Sequence, residues 1–206
     1  MNWLEVLASE KISQYKKIGG VYIHNSNKTE YYASNFGIQW NEFPTTQLDS
    51  ELGQPQTENR LFGCSGWNPG ALLNKTVLEV GSGAGRFTEV LLKYGARVVS
   101  VEPSNAIFAN ARNNGCEELI LIKERIEKCP LIPSSFDFVL CYGVVQHTPN
   151  PKMTYNECIR FCKPDGSCAF DHYQKLVLPS PFYHPKYFWR PLTTKLPPAQ
   201  LLKIIK

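Results

Sequence analysis

The chain has 206 residues, 43% of them hydrophobic and 19% charged, which suits one soluble domain with a sizeable core. Net charge is +4, yet six cations and no acid follow Asp171, so the preceding part sets 16 cations against 18 acids and gives no electrostatic reason to expect nucleic acid. No apolar run approaches the ~20 residues of a membrane span, the start lacks the order of a secretory leader, and seven cysteines without a C-x-x-C pair point to reduced thiols, a cytoplasmic setting and no metal site.

Residues 1–20 carry a short amphipathic pattern (Trp3, Leu4, Leu7) that stops at Gly19-Gly20. The aromatic, polar text up to residue 60 (Tyr22, Tyr31, Tyr32, Phe36, Trp40, Phe43) has no clear period and reads as short helices and loops leaning on a core. From residue 76 strands alternate with helices. "TVLEVG" is a strand, followed by a helix with Phe87, Val90, Leu91 and Tyr94 on one side. "RVVSVE" is the next strand. Ser104 is expected to cap a helix running to about Asn113, with Gly115 as its left-handed stop. "LILI" and "FDFVLCY" give two more strands. Pro151 starts a helix with Tyr155, Cys158, Ile159 and Cys162 on one stripe, and "KPDG" turns it into a fifth strand, "SCAFDHY". Near-continuous apolar strands separated by single helices predict a doubly wound, mostly parallel α/β sheet. The organisation expected is an N-terminal segment (1–60), a nucleotide-binding core (61–175) and a Pro-rich, aromatic, basic tail (176–206).

The turn "EVGSGAGR" carries the chemistry. Small residues after a strand let a ligand approach the backbone, and the next helix presents free N–H groups. Arg86 stands where a dinucleotide fold needs its third glycine, which disfavours a pyrophosphate. Glu79, two residues before Gly81, suits a cationic ligand with an amino group instead. Glu102, 23 residues later at the next strand end, is placed to accept both ribose hydroxyls of an adenosine.

"LEVGSGAGRF", "VVSVEPS" and "FDFVLCYGVVQHTPNP" resemble the class I S-adenosylmethionine-dependent methyltransferases, in a type-11-like bacterial subgroup, over roughly residues 30–175. The resemblance implies a Rossmann-like sheet ordered 3-2-1-4-5, normally extended by a sixth and a seventh strand. Those two are not recognisable before Lys206, so a truncated chain is expected. It also implies S-adenosylmethionine as methyl donor, with S-adenosylhomocysteine as product. Carried over, Glu79 marks the methionine amino group through the loop, and Gly81, Ser82, Gly83 and Gly85 shape the bed. Glu102 holds the ribose, Pro103 and Ser104 sit beside adenine, and Cys141, Tyr142 and Gly143 line the methionine end. Arg125 stands where the family often has an adenine-side Asp, and a main-chain contact from Ile126 is the expected substitute.

Around that bed, Arg86 is a candidate partner for the cofactor carboxylate, and Gln39 and Trp40 are candidates to close over it. His147 is the first candidate for acceptor contact or base, with Tyr142 shaping the methyl-transfer face. Asp171 and His172, at the fifth strand's end, are candidate substrate residues. Each has an equally simple reading as a packing or solvated residue. The tail reads as a substrate cover, ahead of a surface for a partner or second subunit, with a homodimer in view, and last as a segment lying on an anionic membrane, for which it lacks a sustained amphipathic period. The implied reaction is methyl transfer to a small-molecule or glycan/envelope-precursor acceptor. The alternatives are an inactive cofactor-binding scaffold of the same fold and, less favoured, a nicotinamide-dependent oxidoreductase.

Overall fold

A computed structural model describes residues 3–26 and 31–172, together with Thr193, Leu196 and Gln200. Residues 1–172 form one compact unit and 173–206 a second. The tail expected over 176–206 therefore lies, apart from those three residues, outside the described part.

In chain order the elements are α1 (Ser9–Ile12), β1 (Tyr15–Ile18), β2 (Val21–His24), α2 (Tyr31–Glu42), α3 (Asp49–Leu52), α4 (Gln56–Ser65) and β3 (Thr76–Val80). Then follow α5 (Arg86–Lys93), β4 (Arg97–Val101), α6 (Ile107–Asn114), β5 (Leu119–Lys123), β6 (Phe136–Cys141), α7 (Pro151–Phe161) and β7 (Cys162–Phe170), with a 3-10 turn at Val145–His147.

The sheet corrects the sequence reading. It has seven strands in the order β1-β2-β5-β4-β3-β6-β7, not a 3-2-1-4-5 sheet with strands 6 and 7 missing. Two strands, β1 and β2, come from the N-terminal segment, where the sequence pattern predicts only short helices and loops. Gly19 and Gly20, at φ 55° and 84°, close the β1–β2 hairpin, a two-residue loop whose positive φ values match the strand twist. β2 then pairs parallel with β5, so the hairpin covers that strand's outer edge.

Strand alternation divides the core between two faces. Val77, Val98 and Leu140 face Leu61 of α4 and Phe87, Val90 and Leu91 of α5. Leu78, Val80, Val99 and Val139 face Cys158 and Phe161 of α7. Burying both faces explains why β3, β4 and β6 lack a polar stripe.

Three local expectations change. Gly115 has φ −54° rather than a left-handed value. Tyr155 and Ile159 of α7 are 45% and 47% exposed, because Thr154, Cys158 and Phe161 take the inward face. "KPDG" lies inside β7 as an irregularity against β6, not before the strand.

Candidate functional site

The β3, β4 and β6 ends meet at one edge of the sheet, where open α/β folds hold ligands. The turn after β3 is shaped by close contact. Gly81 has φ 76°, donates its N–H to Val101 O at 2.7 Å, and is covered by Val144, whose methyl would overlap any Cβ there. Gly85 has φ 90°, and a Cβ on it would overlap the Asn110 and Asn114 side-chain amides. Both positions need glycine for backbone sign and for space.

Glu79 is buried beneath this turn. Its Oε2 accepts hydrogen bonds from Thr88 Oγ1 (2.5 Å) and Ser100 Oγ (2.7 Å). Asn110 donates to Thr88 Oγ1, and Asn114 donates to both Asn110 Oδ1 and Gly85 O. The network ties β3, α5, β4 and α6 to the glycine turn. Burial pushes the Glu79 carboxyl above its ordinary range, against the opposing hydrogen bonds from Thr88 and Ser100. Its Oε1 and the Ser82 hydroxyl are buried without a partner.

Glu102 is 7% exposed at the end of β4. Its Oε2 accepts Gly83 N–H at 3.2 Å and its Oε1 accepts Ser104 N–H at 2.9 Å. An ionised carboxylate has about four acceptor sites, so each oxygen keeps capacity for a hydroxyl. Ser104 does not cap α6 at its first residue. Its hydroxyl accepts Ala106 N–H instead, closing the turn that carries Pro103.

α2 reaches across from the N-terminal segment. A Cβ on Gly83 would lie 3.3 Å from Trp40 Nε1, so the indole rests on the turn. Asn41 donates to Asn105 O at 2.8 Å and accepts from Arg112 at 2.9 Å. Phe36 meets the His147 ring edge-on at 5.3 Å between centroids. Gln39 is exposed on the same helix.

At the β6 and β7 ends, Asp171 accepts Gly143 N–H and pairs with Arg60 of α4. Asp171 thus sits where the sequence placed it, but as a brace between three elements. His172 is exposed. Cys141 is fully buried on the α7 face, where a hydrogen bond with the Cys158 thiol and then burial push its own thiol up, so its side chain faces the core and not the mouth. Tyr142 is also a packing residue. Its ring stands 5.6 Å from Phe87, and burial pushes the phenol up to about 12. Arg86 stacks over Phe87 at 4.6 Å. Ile126 is buried in the core, and its carbonyl accepts Cys129 N–H. Arg125 binds Glu127 at 3.2 Å.

Sequence reasoning missed Arg60, Thr88, Ser100, Asn110, Asn114 and Gln146. Ser100 inside "RVVSVE" and Thr88 inside "RFTEVLL" were the available signals: polar residues at positions a parallel sheet and its helix bury.

The donor set fits an adenosyl sulfonium. Glu102 is a near-buried carboxylate with spare acceptor sites, and the neighbouring strand end and turn hold two unmet polar atoms, Glu79 Oε1 and Ser82 Oγ.

A profile of the family described as "Methyltransferase domain" matches residues 78–170. The ubiquinone biosynthesis O-methyltransferase of Coxiella burnetii is 29% identical over 102 residues, covering 48% of this chain and 44% of that protein. That of Pseudomonas paraeruginosa is 32% identical over 99 residues, covering 46% and 43%. The chain spans under half the length of these curated relatives. Among solved structures, a Methanococcus maripaludis protein described as a candidate S-adenosyl-L-methionine-dependent methyltransferase shares the fold, with a TM-score of 0.53 at 16% identity over 70% of this chain and 66% of that one. Residues 78–170 therefore match a methyltransferase domain, and the sheet around them shares its fold with the Methanococcus protein.

Proposed function

We propose that the chain transfers a methyl group from S-adenosylmethionine to a hydroxyl oxygen of a small-molecule acceptor. The observation that carries the reading is Glu102, held by two main-chain N–H groups beside the glycine turn with capacity left on both oxygens. The oxygen acceptor is supported by the curated relatives, which are O-methyltransferases of ubiquinone biosynthesis. That kinship favours a small molecule over a glycan or envelope precursor.

The bound cofactor supplies an electrophilic methyl carbon; the chain's own task is alignment and exclusion of water. Glu102 holds the ribose hydroxyls, and the Gly81–Gly85 turn provides a bare backbone against which the cofactor lies. Val144 and Trp40 close on that turn, and Asp171 with Arg60 fixes the Gly143 peptide. Such alignment supplies about 7–11 kcal/mol of barrier lowering. His147, exposed on the turn after β6, is the group placed to take the acceptor's proton, worth ~10²–10⁴ in rate.

Calorimetry with S-adenosylhomocysteine tests this. Wild type binds, and Glu102→Ala loses roughly 10–100-fold in affinity, as expected for hydrogen bonds to a charged acceptor at about 1.5–3 kcal/mol. A wild-type chain that ignores S-adenosylhomocysteine, or binds a nicotinamide dinucleotide more tightly, refutes the reading.

A further inference from the structure

Among the described residues, buried side-chain N and O atoms without a hydrogen-bond partner fall on three residues: Glu79, Ser82 and Gln146. Such groups are rare in folded proteins and ask for an explanation. Glu79 lies near the end of β3 and Ser82 in the turn that follows it. Gln146 belongs to the turn after β6, the strand that pairs parallel with β3. The two turns touch, since Val144, two residues before Gln146, packs on Gly81. The unmet atoms therefore cluster at one edge of the sheet.

Gln146 differs from the other two in chemistry. Both its amide nitrogen and its carbonyl oxygen are unmet. A primary amide offers donors and acceptors side by side. A carboxylate or phosphate would satisfy only the nitrogen, and an ammonium only the oxygen. A hydroxyl group both donates and accepts, and so matches both ends at once. The residue next in sequence is His147, which packs against Phe36 of α2.

On the basis of the methyltransferase reading, we propose that Gln146 is the residue that binds the acceptor's hydroxyl group, accepting its hydrogen and donating to its oxygen. The amide is not basic, so it orients the oxygen and leaves proton removal to another group. The turn bearing it is braced from behind by Asp171 on Gly143 N–H and by Arg60 on Asp171.

The test uses the full chain saturated with S-adenosylhomocysteine and catechol as the probe, a flat diol suited to a turn flanked by Phe36. Gln146→Met replaces the amide by an apolar chain of similar length, and Gln146→Glu keeps the acceptor oxygens while losing the donor. Gln146→Met is expected to melt at the same or a higher temperature, because it removes an unmet polar group, and to bind S-adenosylhomocysteine within twofold of wild type. Its affinity for catechol falls at least tenfold, with Gln146→Glu in between. A lower melting temperature in Gln146→Met makes the amide structural and overturns the proposal. So does a loss of S-adenosylhomocysteine affinity with catechol unaffected, equal catechol binding by all three proteins, or no catechol binding by wild type. Failure of wild type to bind S-adenosylhomocysteine is a different result, and sinks the methyltransferase reading itself.

Discussion

Replacing Glu79 by Gln isolates the cost of a carboxylate held inside the fold. The side chain is 2% exposed, its Oε2 takes hydroxyl hydrogens from Thr88 and Ser100, and its Oε1 has no partner. Gln keeps the shape, and its carbonyl can accept the same two hydrogens. Burial raises the folded-state pKa of Glu79 above that of the unfolded chain. The stability this group contributes is therefore fully present below the unfolded pKa and is lost as pH rises through the folded one. Gln does not titrate, so the variant lacks that loss. From about pH 4.3 upward the Glu79→Gln protein should gain on wild type by up to ~1.4 kcal/mol per pH unit, levelling off once the folded wild type has ionised. Urea unfolding of both proteins at half-unit steps from pH 4.5 to 8 measures the gap. A gap that stays constant across this range, or that narrows as pH rises, refutes the claim that burial governs this carboxyl.

Gly81→Ala places a methyl group inside Val144 at a φ of 76°, costing about 1–3 kcal/mol from backbone strain alone. Its S-adenosylhomocysteine affinity, read by calorimetry, should drop more than its melting temperature suggests, since the turn itself must shift. Asp171→Asn keeps an oxygen for Gly143 N–H but loses the ion pair with Arg60. Catechol affinity should weaken and cofactor affinity stay close to wild type, as separate titrations would show. Asp137 is disfavoured as a charge by burial, yet Lys163 and both the N–H and hydroxyl of Thr76 hold its carboxyl below the usual range. Its stabilisation is present above the unfolded pKa and fades as pH falls through the folded one. Asp137→Asn should therefore lose about 1–3 kcal/mol at pH 7 and much less near pH 3, measured by thermal melts.

The glycine turn and its two flanking acids were legible as strand-end features because their signals are local. A strand-end acid, a glycine turn and a second strand-end acid lie within 24 residues, each set by the conformation of its own few neighbours. What those acids touch was not legible, since Glu79 meets Ser100 and Asn110 acts on Thr88 across 21–22 residues of sequence. The β1–β2 hairpin was missed although Gly19-Gly20 between "YKKI" and "VYIH" is a two-residue turn signal. Exposed Lys16 and Lys17 hid the strand by breaking its apolar alternation, as edge strands commonly do. On α7 the apolar stripe pointed partly outward. Periodicity shows that a helix has a face, but the face that is buried depends on the sheet beneath.

The reach of α2 over the glycine turn bears on how the protein should be dissected. The segment matched by the family profile starts at residue 78, after Trp40, Asn41 and Arg60 have been left behind. Trimming to that boundary would strip away the indole resting on Gly83, the amide linking to Asn105, and the guanidinium that anchors Asp171. The glycine turn and the Gly143 turn are thus held jointly by the core and by the stretch upstream of it.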